Sequence, residues 1–447
     1  MLFSRKDLTR LLVPLIIEQF LSVLVGMIDV VMVAEVGEAA VSGVSLVDSI
    51  NLLLIQLLAA MATGGAVVAG QALGAGDTKR ACLAANQLLL VTTLISLAIM
   101  ALSLVGNGFI LNTLFGQIES DVMDNARIYF YITALSFPFL AVYNSCAALY
   151  RTMGNSKVSM KTSLLMNGIN IVGNTIGVYV LHVGVAGVAV PTLVSRAVAA
   201  IVMLIIIRDS RNQIYVDKRL RLGFRPDVIK QILSIGIPGG MENGMFQLGK
   251  IMVQSLVSTM GTASIAGFAV AANLANIEYL PGLAIGMGLV TVASRCAGAG
   301  EYEQVKYYTK KLVILDYAIL IGIVFFMDIF RGPVIGLYNL SDEAFAIASS
   351  MILYHGFSMV LWPPAFVVPN ALRASSDVSF TMIVAIGSMW AFRIGLAYIF
   401  VKFFNLPVLW VWIAMSFDWI FRLIMFVTRM KGNKWMKYKK KSEKAEA

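Results

Sequence analysis

The sequence predicts an all-α integral membrane protein, with twelve transmembrane helices in two parallel six-helix lobes around a central cavity. Three observations carry this reading: a composition poor in charge, twelve segments of membrane-spanning length, and a second half that repeats the first. Of the 447 residues, 59% are hydrophobic and only 13% charged, with a mean hydropathy of +0.81. A soluble domain is roughly half apolar and about a quarter charged. Halving the charge leaves too few solvated side chains to cover a water-facing surface, so soluble folds are excluded. Two histidines (His182, His355) and three scattered cysteines (Cys82, Cys146, Cys296) form no metal-ligand spacing and no disulfide framework. No metal or organic cofactor is expected. The net charge of +10 does not indicate nucleic acid, because the basic residues alternate with apolar runs.

A helix needs about 20 apolar residues to cross a bilayer. Such segments lie near 11–33, 45–73, 82–106, 126–148, 162–181, 188–207, 231–258, 265–293, 312–330, 345–369, 379–401 and 408–428. None shows the alternating ten-residue pattern of a membrane barrel. The first carries Glu18 and Asp29 and lacks a small-residue cleavage site, so it reads as a span and not as a cleaved leader. With the N-terminus inside, 28 of the 35 Lys and Arg residues fall on inner loops and tails. That bias predicts a multi-pass protein of the cell membrane with both termini cytoplasmic. The basic stretch from Arg429 to Lys444 reads first as a solvated stop-transfer tail, and second as a contact for anionic lipid.

The polar stretch 208–230 divides the spans six and six. A constant offset of 224 residues aligns 14–77 with 238–301 without a gap, and 14 of the 64 pairs are identical. Pro14 meets Pro238 and Glu18 meets Glu242. Gly37-Glu-Ala-Ala-Val-Ser-Gly43 meets Gly261-Thr-Ala-Ser-Ile-Ala-Gly267, and Gly74-Ala-Gly76 meets Gly298-Ala-Gly300. Further on, Ala148-Leu-Tyr-Arg151 resembles Ala371-Leu-Arg373, with gaps. An even number of spans per half keeps both halves in one orientation, related by an axis along the membrane normal. The expected organisation is an N-terminal lobe over 1–207, a cytoplasmic linker over 208–230, a C-terminal lobe over 231–428 and a tail over 429–447. Two such lobes can enclose a cavity and rock about it, which is transporter architecture; a channel would need ring symmetry about a pore.

Gly74-Ala-Gly-Asp77 fits the Gly-x-Gly-Asp pattern of intramembrane aspartyl proteases. Asp77 falls in a short inner loop, however, and its repeat copy is Glu301, so the glycines read as a helix end. With no Gly-x-Ser-x-Gly or His-Glu-x-x-His motif either, the chain is not expected to be an enzyme.

Intramembrane charges are the best pointers to function, because an unpaired one costs several kcal/mol to bury. Glu18 and Asp29 are 11 residues apart, so they return to nearly the same helix face about 16 Å along the axis. Asp29 has apolar neighbours and is expected to exchange a proton reversibly near neutral pH; a packing-only hydrogen bond is the alternative. Asn167, Asn170 and Asn174 share one face of the fifth span, where they line a wet cavity or bridge helices. Thr192 follows Pro191 in the sixth. In the seventh, Glu242 is followed by a stripe of Asn243, Gln247, Lys250 and Gln254. This stripe reads as a substrate-cavity lining together with Glu18 and Asn167, or else as a structural ion pair with another helix. Glu242 lies some 80° round from Lys250 and pairs with it only loosely. Asp48 and Asn51 stand three apart in the second span, as do Asn273 and Asn276 in the eighth. Arg196 and Arg393 need partners that the sequence does not assign. Pro14, Pro191, Pro238 and Pro281 are the expected helix bends.

Taken together, these residues resemble the multidrug and toxic-compound extrusion (MATE) transporters. The resemblance covers essentially the whole chain. It rests on the two six-span halves, on Pro14 followed by Asp29, and on the Gly37…Gly43 and Gln71-Ala-Leu-Gly-Ala-Gly-Asp77 turns. Arg151-Thr-Met-Gly154, the Asn170/Asn174 pair and Pro191-Thr192 complete it. It implies antiport: export of amphipathic, often cationic organic compounds in exchange for protons or sodium ions. It also implies ion coupling at Asp29, Asn170, Asn174 and Thr192. Members with a cation site in this lobe carry an aspartate where this chain has Asn174, and others use acidic residues in the seventh and tenth spans that are shifted or missing here. Protons are therefore preferred to sodium. The partners expected are small organic cations or amphiphiles and the bilayer, with the protein a monomer. The nearest rival is a flippase of lipid-linked oligosaccharide from the same superfamily. Clustering of Lys250, Arg196 and Arg393 on one wall would favour it.

Overall fold

The computed structural model describes residues 1–116, 118–217 and 223–437, and in these every regular element is helical. The chain divides into two compact units, Phe3–Gly240 and Met241–Ala447, the latter with Met1–Leu2. The first holds α1 (Arg5–Ala34), α2 (Glu38–Gly74), α3 (Thr78–Phe115), α4 (Ser120–Leu135), α5 (Phe137–Thr152), α6 (Ser156–Thr175) and α7 (Ala186–Ile207). The opening turns of α8 (Pro226–Val257) also belong to it. The second holds the rest of α8, then α9 (Thr262–Glu278), α10 (Leu280–Gly298), α11 (Tyr302–Ile329) and the short α12 (Arg331–Gly336). After these come α13 (Asp342–Ser358), α14 (Trp362–Phe366), α15 (Val368–Ala374), α16 (Val378–Ser388) and α17 (Leu409–Lys431). All twelve expected spans fall on these helices.

Among the described residues, nine helical stretches are long and apolar enough to cross a membrane, and ten with the bent pair α4–α5. The two expected spans missing from that count are α6 and α8. They are the helices that carry the asparagine face and the Asn243–Gln254 stripe, so the side chains that lower their hydropathy are the ones singled out as functional.

Local chemistry explains where the helices start and stop. Ser4 caps α1, its Oγ accepting from the Asp7 N–H, while the Asp7 carboxylate accepts from the Ser4 N–H at 2.9 Å. Asp77 caps α3 by accepting from the Arg80 N–H at 2.9 Å, which leaves it a structural carboxylate at a helix start. The preceding Gly76 takes φ +79°, and its repeat partner Gly300 takes +77°. Deeper in each lobe, a Cβ on Gly43 would stand 2.8 Å from the Val122 carbonyl oxygen. One on Gly267 would stand 2.9 Å from that of Ala344. The repeat read along the chain is thus a repeat of close backbone approaches in space.

Of the expected proline bends, Pro14, Pro191 and Pro238 sit inside continuous helices, and Pro281 marks an interruption between α9 and α10. A 46° bend that the sequence did not single out lies at the α4–α5 break, where Pro138 is in the first turn of α5 and donates no hydrogen bond. One expectation is corrected: the tail is not simply solvated, because Arg429 and Lys437 both reach Asp377 at 2.7 Å. Trp435 is fully buried with its indole N–H donating to the Gly432 carbonyl at 2.7 Å. The remainder of the tail, from residue 438, and residues 218–222 of the expected linker lie outside the described residues.

Candidate functional site

Helical periodicity puts Asn170 and Asn174 one turn apart on α6, and packing of α1 against that face brings Asp29 to them. Asn174 Nδ2 donates to Asp29 Oδ1 at 2.8 Å. With its amide nitrogen toward the carboxylate, Asn170 donates to the same oxygen at 2.9 Å and lies 3.0 Å from Thr192 Oγ1 of α7. The structure therefore draws Asp29, Asn170, Asn174 and Thr192 from three helices into one hydrogen-bonded group. Asn174 Oδ1 and Asn167 Nδ2 are buried without a protein partner. Such orphans in a membrane protein mark where water or a ligand completes the network.

A second polar group adjoins the first. Asn51 Nδ2 donates to Thr133 Oγ1 at 3.2 Å and approaches Asp48 at 3.5 Å. The Asp48 carboxylate also accepts from the Tyr129 hydroxyl. Arg196, whose partners the sequence left open, donates to Ser136 Oγ at 2.7 Å, and its guanidinium feels the charges of Asp48 and Asp29. Ser136 is available because it sits at the α4–α5 break. Two carboxylates thus share one guanidinium, leaving this group acidic when ionised.

Glu18 and Glu242, expected on a cavity wall, are each engaged by an arginine. Glu18 is buried, accepts from Ser159 Oγ at 3.0 Å and stands 3.9 Å from Arg151. Glu242 takes Arg373 at 2.5 Å, and Arg373 also donates to Asn370 Oδ1 at 3.1 Å. Even the loose pairing of Glu242 with Lys250 does not form. The recurrence of Arg151 and Arg373 was visible in the sequence, but nothing there paired them with the glutamates.

In the second unit, Lys250 Nζ lies 5.4 Å from the centroid of the Phe246 ring and the Arg393 guanidinium 5.3 Å from it. Asn243 and Gln247 are half-buried on the same helix. Arg393 stands 3.2 Å from Asp418, which also holds Arg422 at 2.7 Å. Lys250 and Arg393, two of the three basic residues singled out, thus approach one ring within this unit, while Arg196 belongs to the other. Sequence reading missed a further pair: Glu278 and the buried His355 approach to 2.6 Å beside Trp412. A lone histidine inside an apolar span was the available signal. Among the described residues no group of His, Cys, Asp or Glu is arranged to hold a metal ion.

A polytopic helical protein built from two related lobes, with isolated polar groups inside its spans, is a membrane transporter in architecture. The MatE family model matches the chain twice, at 14–176 and 238–399, each match beginning at one of the repeat-related prolines. The chain belongs to that family. It is 27% identical to the "Probable multidrug resistance protein NorM" of Thermotoga maritima, over 97% of this chain and 93% of that protein. It is 26% identical to the "Uncharacterized transporter YisQ" of Bacillus subtilis, over 95% and 93%. A solved MATE structure in complex with MaD3S superposes with a TM-score of 0.90 at 20% identity, covering 97% of both chains. A MOP superfamily transporter from Pyrococcus furiosus, described as having a binding pocket of reverse polarity, gives 0.88 at 21%, covering 96% and 97%. These superpositions extend the likeness to the whole fold. The protein is therefore a multi-pass membrane transporter of the MatE family.

Proposed function

We propose that the protein is a secondary antiporter of the cell membrane, with both termini cytoplasmic. It exports amphipathic, often cationic organic compounds in exchange for protons by alternating access of lobes 1–207 and 231–428. The observation that carries this reading is the Asp29 group: a half-buried carboxylate held by the amides of Asn174 and Asn170 inside an apolar span. Both amides present N–H groups to Asp29. That is a bed for an ionised carboxylate, which supports proton coupling over an oxygen cage for sodium. Relatives named as multidrug resistance proteins support the substrate class.

In the cycle, ionised Asp29 holds α1 and α6 together beside a cavity that accepts the cation. A proton arriving from outside removes the acceptor charge and weakens the amide contacts. It thereby favours the arrangement that releases substrate outward. Coupling requires proton and substrate to have different affinities in the two arrangements.

The test is uphill uptake of a cationic dye into inside-out vesicles, driven by a proton gradient alone or a sodium gradient alone, for wild type and Asp29→Asn. Proton-driven uptake lost in the variant supports the mechanism. Native-rate uptake by Asp29→Asn overturns it, and sodium-driven uptake alone replaces the proton with sodium.

A further inference from the structure

We propose that the C-terminal lobe carries a binding site for the anionic group, carboxylate or phosphate, of an aromatic or otherwise apolar molecule, built from Lys250, Arg393 and the Phe246 ring that both approach. The inference goes beyond the transporter reading by adding an anionic or zwitterionic ligand class to the cations proposed above, and it rests on that reading only for transport, not for binding.

The geometry begins with α8. Asn243, Gln247, Lys250 and Gln254 fall within a 60° arc at 100° per residue. The exposed apolar residues Ile237, Met241, Leu248 and Ile251 occupy a neighbouring, separate arc. The helix thus has an apolar face and a distinct polar one, and Lys250 is exposed on the polar face. Lys250 has no carboxylate within salt-bridge distance among the described residues, because the nearby acids are engaged elsewhere: Glu242 by Arg373, and Asp418 by both Arg393 and Arg422.

Arg393 comes to the same ring by a specific route. It lies in the π-helical stretch Met389–Leu396, whose widened turn re-aims its side chains. That stretch packs against α8 at Gly249, where an added Cβ would stand 2.2 Å from Met389 Cε and 3.3 Å from Ile394 Cδ1. At Gly249 the side-chain ends of Met389 and Ile394 lie close against α8, on the stretch that also carries Arg393. Arg393 and Arg422 share the one carboxylate of Asp418 and Lys250 pairs with none among the described residues, so the group holds excess positive charge. Like charges gathered there are costly unless an anion joins them. Phe246 offers such a ligand an apolar contact close to both cations.

The repeat adds an independent observation. At the offset of 224, Lys250 corresponds to Gly26, one helical turn before Asp29, while Asp29 corresponds to Val253. Beyond the matched Glu18 and Glu242, the first helix of each lobe therefore carries one further charge within a turn of the same repeat position, acidic in one and basic in the other.

The test is equilibrium binding to the purified full-length protein in nanodiscs, with naphthalene carboxylate as probe and a naphthyl trimethylammonium cation as its matched opposite. Lys250→Ala and Lys250→Glu are expected to weaken carboxylate binding by about tenfold or more. Lys250→Arg should retain it, and binding of the cation should be unchanged or improved. Discs with and without phosphatidylglycerol distinguish the source of the anion. Loss of probe binding with the lipid in wild type marks a lipid headgroup site, and indifference to it marks a site for soluble anions. Equal carboxylate affinity in wild type, Lys250→Ala and Lys250→Glu would overturn the proposal. Because binding needs no gradient, a failure here is separable from a failure of antiport, which the dye assay reports.

Discussion

Asn174 donates its side-chain amide to Asp29 Oδ1 at 2.8 Å, joining residues 145 positions apart through the contact of α1 with α6. Replacing Asn174 by Ala leaves the carboxylate one donor short. Ion-driven dye efflux should fall by several-fold, less than the near-complete loss expected for Asp29→Asn. Initial rates in the vesicle assay, normalised to protein amount, check the order.

Asn174→Asp would place a second carboxylate against the first. Two carboxylates that close cannot both stay ionised without a shared proton or cation. The variant is expected to bind sodium more tightly than wild type, measured by sodium-dependent protection against thermal unfolding. No sodium dependence in the variant would count against the proposed role of this position.

Glu242 and Arg373 form an ion pair at 2.5 Å between α8 and α15. Arg373→Met strands a half-buried carboxylate and should cost about 3 kcal/mol. The double variant Glu242→Gln/Arg373→Met should recover most of that, as seen by chemical denaturation. An additive cycle would mean the two side chains do not interact.

Gly43→Val and Gly267→Val should each lower the melting temperature, at a cost of roughly 1–3 kcal/mol, since their Cβ atoms meet carbonyl oxygens of a neighbouring helix. Similar losses in the two lobes are expected, because the two glycines occupy equivalent places in the repeat.

Asp77→Ala removes a helix cap and should cost about 1 kcal/mol while leaving transport per folded molecule unchanged. Loss of a proteolytic activity on changing Asp77 would contradict its assignment as a cap.

Much of the architecture was legible in the chain itself. Hydropathy marks the spans because the bilayer admits only helices with satisfied backbones, and the repeat survives in glycines and prolines because close approaches and turns tolerate few substitutes. Periodicity also placed Asn170 and Asn174 on one face, and isolated Asp29 as the acid to watch. What it could not supply was partnership. Nothing in the order of residues says that Glu242 meets Arg373 and leaves Lys250, that Arg196 belongs with Asp48, or that Glu278 lies against His355. Nor did it locate the bend at Ser136, the π-helical turns, or the docking of Trp435. Helical periodicity is a short-range property, fixed by 3.6 residues per turn. Which carboxylate meets which cation depends on how helices rotate and slide against each other, and that is decided by side-chain packing across hundreds of residues.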